Sequence, residues 1–321
     1  MSKKYDIICI GAALVDMVAK VERHPLEDDE VFVSDLSLFS GGAAANTAFA
    51  CASLGLKSAF LGKLGKNDTF GLKIIDDFKK GNVIIDLIKY SDEHGTGSAY
   101  VALNDKADRR IYAHSGAANY LSEKDIILNE INQSKVIYLS SLKNIKPFIE
   151  AGMIGKKNGI PVILNPGMLI IDQGYDKISS LLGEIDVLIL SQREYTTLMK
   201  IESIELEHTI VKQTSTKLFE LGLKILIITL GSRGAFILSE NKIDLIPTIE
   251  IENIKDTTGA GDAFSAGFIY GFVQSLRYGF TNLKKNVKIG NYIAGKCIQE
   301  LGARNGIPNE EQLKSFLNTL K

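Results

Sequence analysis

The sequence predicts an α/β protein: a doubly wound, mostly parallel sheet flanked by helices, with a small additional β-sheet acting as a lid. Three observations predict it. Short runs rich in Ile, Val and Leu are continuous rather than alternating, as strands covered on both faces must be. Longer amphipathic stretches fall between those runs. Two segments break this rhythm and read as extra strands. The runs place strands over 5–10, 59–64, 136–139, 161–165, 187–190 and 224–229. Helices are expected over 44–54, 69–79, 146–157 and 215–221, and after Lys255 over 261–274, 283–300 and 310–320. The two exceptions are 31–39, between Pro25 and Gly41-Gly42, and the pair 98–103 and 109–114 around the polar turn Asn104-Asp105-Lys106-Ala107-Asp108. That pair has the form of a hairpin. The expectation is one domain over 1–321, with a β lid formed by about 12–40 and 95–118.

Composition narrows the function classes. The 321 residues are 45% hydrophobic and 23% charged, an ordinary globular balance. Thirty-seven basic residues meet thirty-eight acidic ones, a net charge of -1. No global basic field exists to hold nucleic acid or an anionic membrane, so any anion site must be local. Cys9, Cys51 and Cys297 are scattered and odd in number, which fits buried apolar residues better than a zinc site or disulfide framework. The start MSKKYDIICIG is interrupted by Asp6 and reads as a first strand, not a signal peptide. No stretch approaches the ~18 apolar residues needed to cross a bilayer. A cytoplasmic protein is the expectation.

Four segments carry candidate chemistry. In Asp256-Thr257-Thr258-Gly259-Ala260-Gly261-Asp262-Ala263-Phe264, small residues run into an apolar helical pattern. Backbone N–H groups of Gly259, Ala260 and Gly261 can close on an oxyanion where the helix dipole is positive. Such a hole suits the charge on a transferring γ-phosphoryl group, and Asp262 at its rim suits a general base. A helix cap with a glycine turn would use the same residues. In Ser40-Gly41-Gly42-Ala43-Ala44-Ala45-Asn46-Thr47, Gly41 and Gly42 let a ligand approach the backbone, and Asn46 offers a donor and an acceptor to a diol. A tight turn with close packing is the alternative. Asp16 follows the first strand, where ligands of open α/β sheets bind. It would accept from two hydroxyls, or stand as a solvated loop carboxylate. Thr229-Leu230-Gly231-Ser232-Arg233-Gly234 fits a cradle for ATP phosphates or a plain β-turn. Neither G-x-x-x-x-G-K-[ST] nor G-x-G-x-x-G occurs, which removes the main support for P-loop and dinucleotide readings.

Taken together and in this order, these segments resemble the PfkB, or ribokinase-like, family of sugar and nucleoside kinases over nearly the whole chain. Residues 41–65 look like the family's N-terminal signature, 256–268 like its C-terminal one, and 229–234 like its nucleotide turn. The resemblance implies the roles. Asp262 is the base and Gly259, Ala260 and Gly261 the anion hole. Asp16, Gly41, Gly42 and Asn46 hold substrate hydroxyls. Thr229, Gly231, Ser232 and Gly234 hold ATP, with Asn291 on the adenine side. It also implies Mg²⁺, with Glu194 acting through water, and potassium near Asp256 and Thr258. One departure stands out: where the family commonly has Asn-x-x-Glu, this chain has Ser191-Gln192-Arg193-Glu194. Ser191 can still bond a phosphate, with shorter reach.

The expected activity is ATP-dependent transfer to a primary hydroxyl of a small sugar or nucleoside, with a ribose-like furanose or purine nucleoside favoured. Fructose or a sugar acid, a catalytically silent binding protein on the same scaffold, and a dehydrogenase with an unusual cofactor loop are the competing readings. A lid has exposed strand edges, and pairing two lids in a homodimer would cover them.

Overall fold

Neighbouring residues of a strand feed opposite faces of a sheet, and the first strand shows it: Ile7 and Cys9 join one apolar cluster, Ile8 and Ile10 the other. The computed structural model describes residues 3–104, 108–202 and 205–320. Its strands are β1 (Tyr5–Gly11), β2 (Leu14–Val21), β3 (Val33–Gly41), β4 (Ser58–Leu61), β5 (Lys63–Gly65), β6 (Lys89–Ser91), β7 (Thr96–Leu103), β8 (Arg109–Gly116), β9 (Ser134–Ser140), β10 (Val162–Asn165), β11 (Val187–Ser191), β12 (Ile225–Thr229), β13 (Ala235–Ser239) and β14 (Lys242–Ile246). An eight-stranded sheet runs β14-β13-β12-β11-β10-β9-β1-β4. From β4 to β12 its neighbours are parallel; β13 and β14 form an antiparallel edge.

Helices cover both faces. Ala43–Ser53, Thr69–Lys80, Ala260–Val273 and Phe280–Cys297 pack on the face that includes Ile7, Phe60 and Tyr138. Lys146–Asn158, Tyr175–Leu182 and Gln192–Met199 pack on the other, against Ile8, Ile137 and Leu188. All three cysteines are buried and free, as expected of small apolar side chains. No helix among the described residues is long and apolar enough to cross a membrane.

A four-stranded sheet, β3-β2-β7-β8, leaves the carboxyl edge of the large sheet just after Gly11 and returns at Gly41, immediately before the helix Ala43–Ser53. Cross-strand register puts Phe39, Asp16, Ala99 and Ala113 in one row. The adjacent row, Leu38, Met17, Tyr100 and Tyr112, points to the opposite face, because the side-chain period is two. Leu38 and Tyr112 in that row are exposed.

Several elements differ from the sequence reading. The segment 14–21 is a strand, so Asp16 is held on a sheet rather than in a loop. The expected strand over 59–64 is two strands in different sheets. The chain breaks at Gly62, where a Cβ would lie 2.5 Å from the Gly11 carbonyl oxygen and from the Phe60 ring. The helix expected over 215–221 is present as Thr216–Glu220, and a further short helix, His208–Thr214, precedes it. At their junction Thr214 and Ser215 donate their hydroxyls to the carbonyls of Ile210 and Lys212, a competition that disrupts helices. Strands 98–103 and 109–114 pair antiparallel as expected, and Asn104 N–H donates to Asp108 O (3.1 Å), but residues 105–107 of their turn lie outside the described residues.

Candidate active site

The carboxyl ends of the parallel strands form one edge. Gly11, Ser140 and Asn165 stand in register across β1, β9 and β10, and Ser191 pairs with Thr229 across β11 and β12. Above this edge begins the helix Ala260–Val273. Its N-cap, Gly259, is left-handed (φ 77°) and has no side-chain cap. A Cβ there would sit 2.6 Å from Ala303 Cα, so both conformation and space demand glycine. Gly261 is the opposite case: nothing lies within 4 Å of where its Cβ would be. The first-turn N–H groups lack intrahelical acceptors; Ala260 N donates back to Thr257 O (3.3 Å), and the space beside Gly261 is open.

Asp262 occupies the first turn. Asn46 Nδ2 donates to its Oδ2 (3.0 Å), and Thr47 Oγ1 donates to its main-chain oxygen (3.4 Å). Both partners come from the helix Ala43–Ser53, which starts at Gly42. Partial burial pushes the Asp262 carboxyl up to about 7. The Asn46 bond and the Arg304 charge pull against this, while Glu194 and Asp16 add to it. Asp16 is raised to about 6, again by burial, with Arg304 opposing. The Asp16 carboxyl rests on the backbone of Gly41, where any side chain would overlap it.

Asp256 is a brace for the loop. Its Oδ1 accepts from Thr258 N (2.9 Å) and Oγ1 (2.7 Å), and its Oδ2 accepts from Gly302 N (2.9 Å). Ser191 and Glu194 form a capping box on the helix Gln192–Met199: Glu194 N donates to Ser191 Oγ (3.3 Å), and Ser191 N donates to Glu194 Oε2 (2.7 Å). Among the described residues no group of three or more His, Cys, Asp or Glu side chains converges as a metal site.

The nucleotide-side candidates share the same edge. Thr229 ends β12 and donates Oγ1 to Leu190 O (3.4 Å); Gly231 and Ser232 are exposed in the short turn Gly231–Arg233. Gly234 presses against the carbonyl of Ile246. Asn291 is buried, and its Nδ2 donates to Ile246 O (3.3 Å) and Pro247 O (3.1 Å). It braces the segment behind Gly234.

Thus the structure brings Asp16, Gly41, Gly42, Asn46 and Asp262 together, with Ser191, Glu194, Thr229 and Gly231 along the adjoining edge. Sequence reasoning missed Arg304. Its Nε donates to Asn46 Oδ1 (3.0 Å), and its guanidinium stacks near the rings of Phe49 (5.1 Å) and Phe78 (5.5 Å). Burial lowers it to about 10 against the charges of Asp77, Asp262 and Asp16. A single Arg inside Gly302-Ala303-Arg304-Asn305-Gly306 is the one signal the sequence offered.

A family model described as "pfkB family carbohydrate kinase" matches residues 4–310. A ribokinase of Staphylococcus aureus (strain COL) is 27% identical over 311 residues, covering 96% of this chain and 98% of that protein. A bifunctional ribokinase/ribose-5-phosphate isomerase A of Fructilactobacillus sanfranciscensis is 29% identical over 316 residues, covering 97% of this chain; the chain spans 56% of that longer protein. The structure of Arabidopsis thaliana ribokinase complexed with ribose and ATP superposes with a TM-score of 0.85 at 25% identity, covering 99% of each chain.

Proposed function

The chain belongs to the pfkB family of carbohydrate kinases, phosphotransferases with a hydroxyl acceptor, and from that premise we propose that it transfers the γ-phosphoryl group of ATP to a primary hydroxyl of a ribose-like furanose. The observation that carries this is the Asp262 carboxyl, held by Asn46 beside the open first turn of the helix Ala260–Val273. A carboxyl at about 7 is matched to taking a proton near neutral pH. The ribokinase relatives, and the ribose and ATP in the Arabidopsis structure, favour a pentose. A purine nucleoside is the next candidate, with fructose or a sugar acid after it.

In this reading the sugar lies between the carboxyl edge and the small sheet, its hydroxyls donating to Asp16 and meeting Asn46. ATP runs along Thr229, Gly231, Ser232 and Gly234, with its base toward Asn291. The small sheet closes as a lid and excludes water, which would compete as acceptor. Asp262 draws the proton from the attacking hydroxyl. The first-turn amides of residues 259–261 meet the developing charge. Glu194 would hold Mg²⁺ through water, and the ion would supply positive charge to the phosphates. Potassium beside the 256–258 loop belongs to the same proposal, with Asp256 shaping the loop. The exposed row containing Leu38 and Tyr112 supports a homodimer formed through the small sheets. The cytoplasm is the proposed location, with no nucleic-acid or membrane partner. No observation favours a silent binding protein or a dehydrogenase.

The test is a coupled ADP-release screen of the purified chain over ribose, adenosine, inosine, cytidine, fructose and 2-keto-3-deoxygluconate, with and without potassium. Ribose is expected to give the highest kcat/KM, with potassium raising it. A nucleoside or sugar acid exceeding ribose tenfold would overturn the pentose assignment. No release with any acceptor would overturn the reaction.

A further inference from the structure

An amide side chain presents an oxygen at one end and a nitrogen at the other, and a half-turn exchanges them. What faces each end decides which way it stands. At Asn46 the Oδ1 end meets Arg304 Nε at 3.0 Å and the Nδ2 end meets Asp262 Oδ2 at 3.0 Å. A guanidinium only donates, so it tolerates oxygen and excludes nitrogen. The Asn46 nitrogen is thereby turned to the carboxylate. Arg304 is well placed to impose this. Its guanidinium lies near the Phe49 and Phe78 rings, and its Nη1 and Nη2 are buried with no hydrogen-bond partner among the described residues. The bond to Asn46 is therefore the hydrogen bond that fixes the group. The contact joins residues 258 positions apart, linking the C-terminal loop to the substrate-side helix.

We propose that Arg304 is a positioning residue: by fixing the Asn46 amide it aims a donor at the Asp262 carboxyl and favours the ionised form of that base. The inference rests on the reading of Asp262 as the base. Other charges reach the same point. Asp16 from β2 and Glu194 from the helix Gln192–Met199 disfavour ionisation of Asp262, and Arg304 also acts on it directly. Burial holds Tyr138 of β9 and Cys297 neutral, Cys297 at about 12, and the Asp262 charge adds to it. The charge of Asp77, from the helix Thr69–Lys80, also acts on the guanidinium. A direct charge effect and an effect relayed through Asn46 make different predictions, and that difference is the test.

The Asp262 carboxyl is titrated by ¹³C NMR in the full chain, with kcat/KM measured over the same pH range. Arg304→Met keeps an apolar stem against the two rings. It is expected to move the Asp262 titration and the acid limb of kcat/KM up by about one pH unit. In an Asn46→Ala background the same substitution is expected to add less than half of that movement. An equal movement in both backgrounds, or none in the wild-type background, overturns the proposal. Should Arg304→Met fail to fold, Arg304→Lys serves: it keeps the charge but loses the planar Nε donor, so an unmoved titration would equally overturn it. The titration does not depend on turnover. Near-normal rates in Asp262→Asn would sink the base assignment, while an unmoved titration in the Arg304 variants would sink the relay alone.

Discussion

The Asp16 carboxyl lies against the backbone of Gly41: a methyl group built there would overlap Oδ2 and sit 2.9 Å from Cγ. Two adjacent strands, β2 and β3, thus meet with no room for a side chain. Gly41→Ala is expected to push Asp16 aside while leaving the nucleotide side intact. The sugar KM should rise by about 10–100-fold, as losing one well-placed substrate contact costs about 1.4–2.8 kcal/mol. The Kd for ATP, measured by calorimetry, should stay within twofold.

The two glycines of the proposed anion hole separate stability from catalysis. At Gly259 a side chain meets both a left-handed backbone and Ala303, so Gly259→Ala should destabilise by about 1–3 kcal/mol. At Gly261 no protein atom is in the way. Gly261→Ala should therefore keep its stability within about 0.5 kcal/mol. A methyl group pointing into the phosphate approach should still cut kcat/KM by about tenfold or more. Thermal melts and kinetics on the pair check this.

Ser191 and Glu194 share a capping box but are expected to differ in function. Ser191→Ala removes a cap and should cost about 1 kcal/mol, with little change in Mg²⁺ dependence. Glu194→Gln still accepts the Ser191 N–H but loses its charge. The Mg²⁺ concentration for half-maximal rate should rise several-fold in that variant alone.

Much of this architecture was legible because its logic is local. Continuous apolar runs identify strands buried on both faces, and the glycine-rich entry to the helix Ala260–Val273 marks an uncapped N-terminus. What escaped is what depends on distant contacts. Asp16 reads as a loop residue until β3 and β7 are found to pair on both sides of it. Gly62 ends a strand only because Gly11 and Phe60 press against it. Arg304 has no motif of its own; its partner is an amide near the opposite end of the chain.

The raised Asp262 carboxyl also has a stability consequence. A folded-state value of about 7 against 3.8 unfolded means the fold holds a proton that the unfolded chain releases. The neutral form is fully favoured below 3.8, and this contribution is lost as pH rises to about 7. Asp262→Asn removes the ionisation. Its stability relative to the unsubstituted chain should climb between pH 4 and 7 and level off above, by about 1–3 kcal/mol. A gain independent of pH would contradict the burial of this group.

The most direct test of the whole account is the turnover of that same variant. Asp262→Asn should fold, bind ATP with an unchanged Kd, and lose about 10²–10⁴-fold in kcat with its best acceptor. A kcat within a few-fold of the unsubstituted chain, at equal ATP affinity, would contradict the assignment of Asp262 as the base.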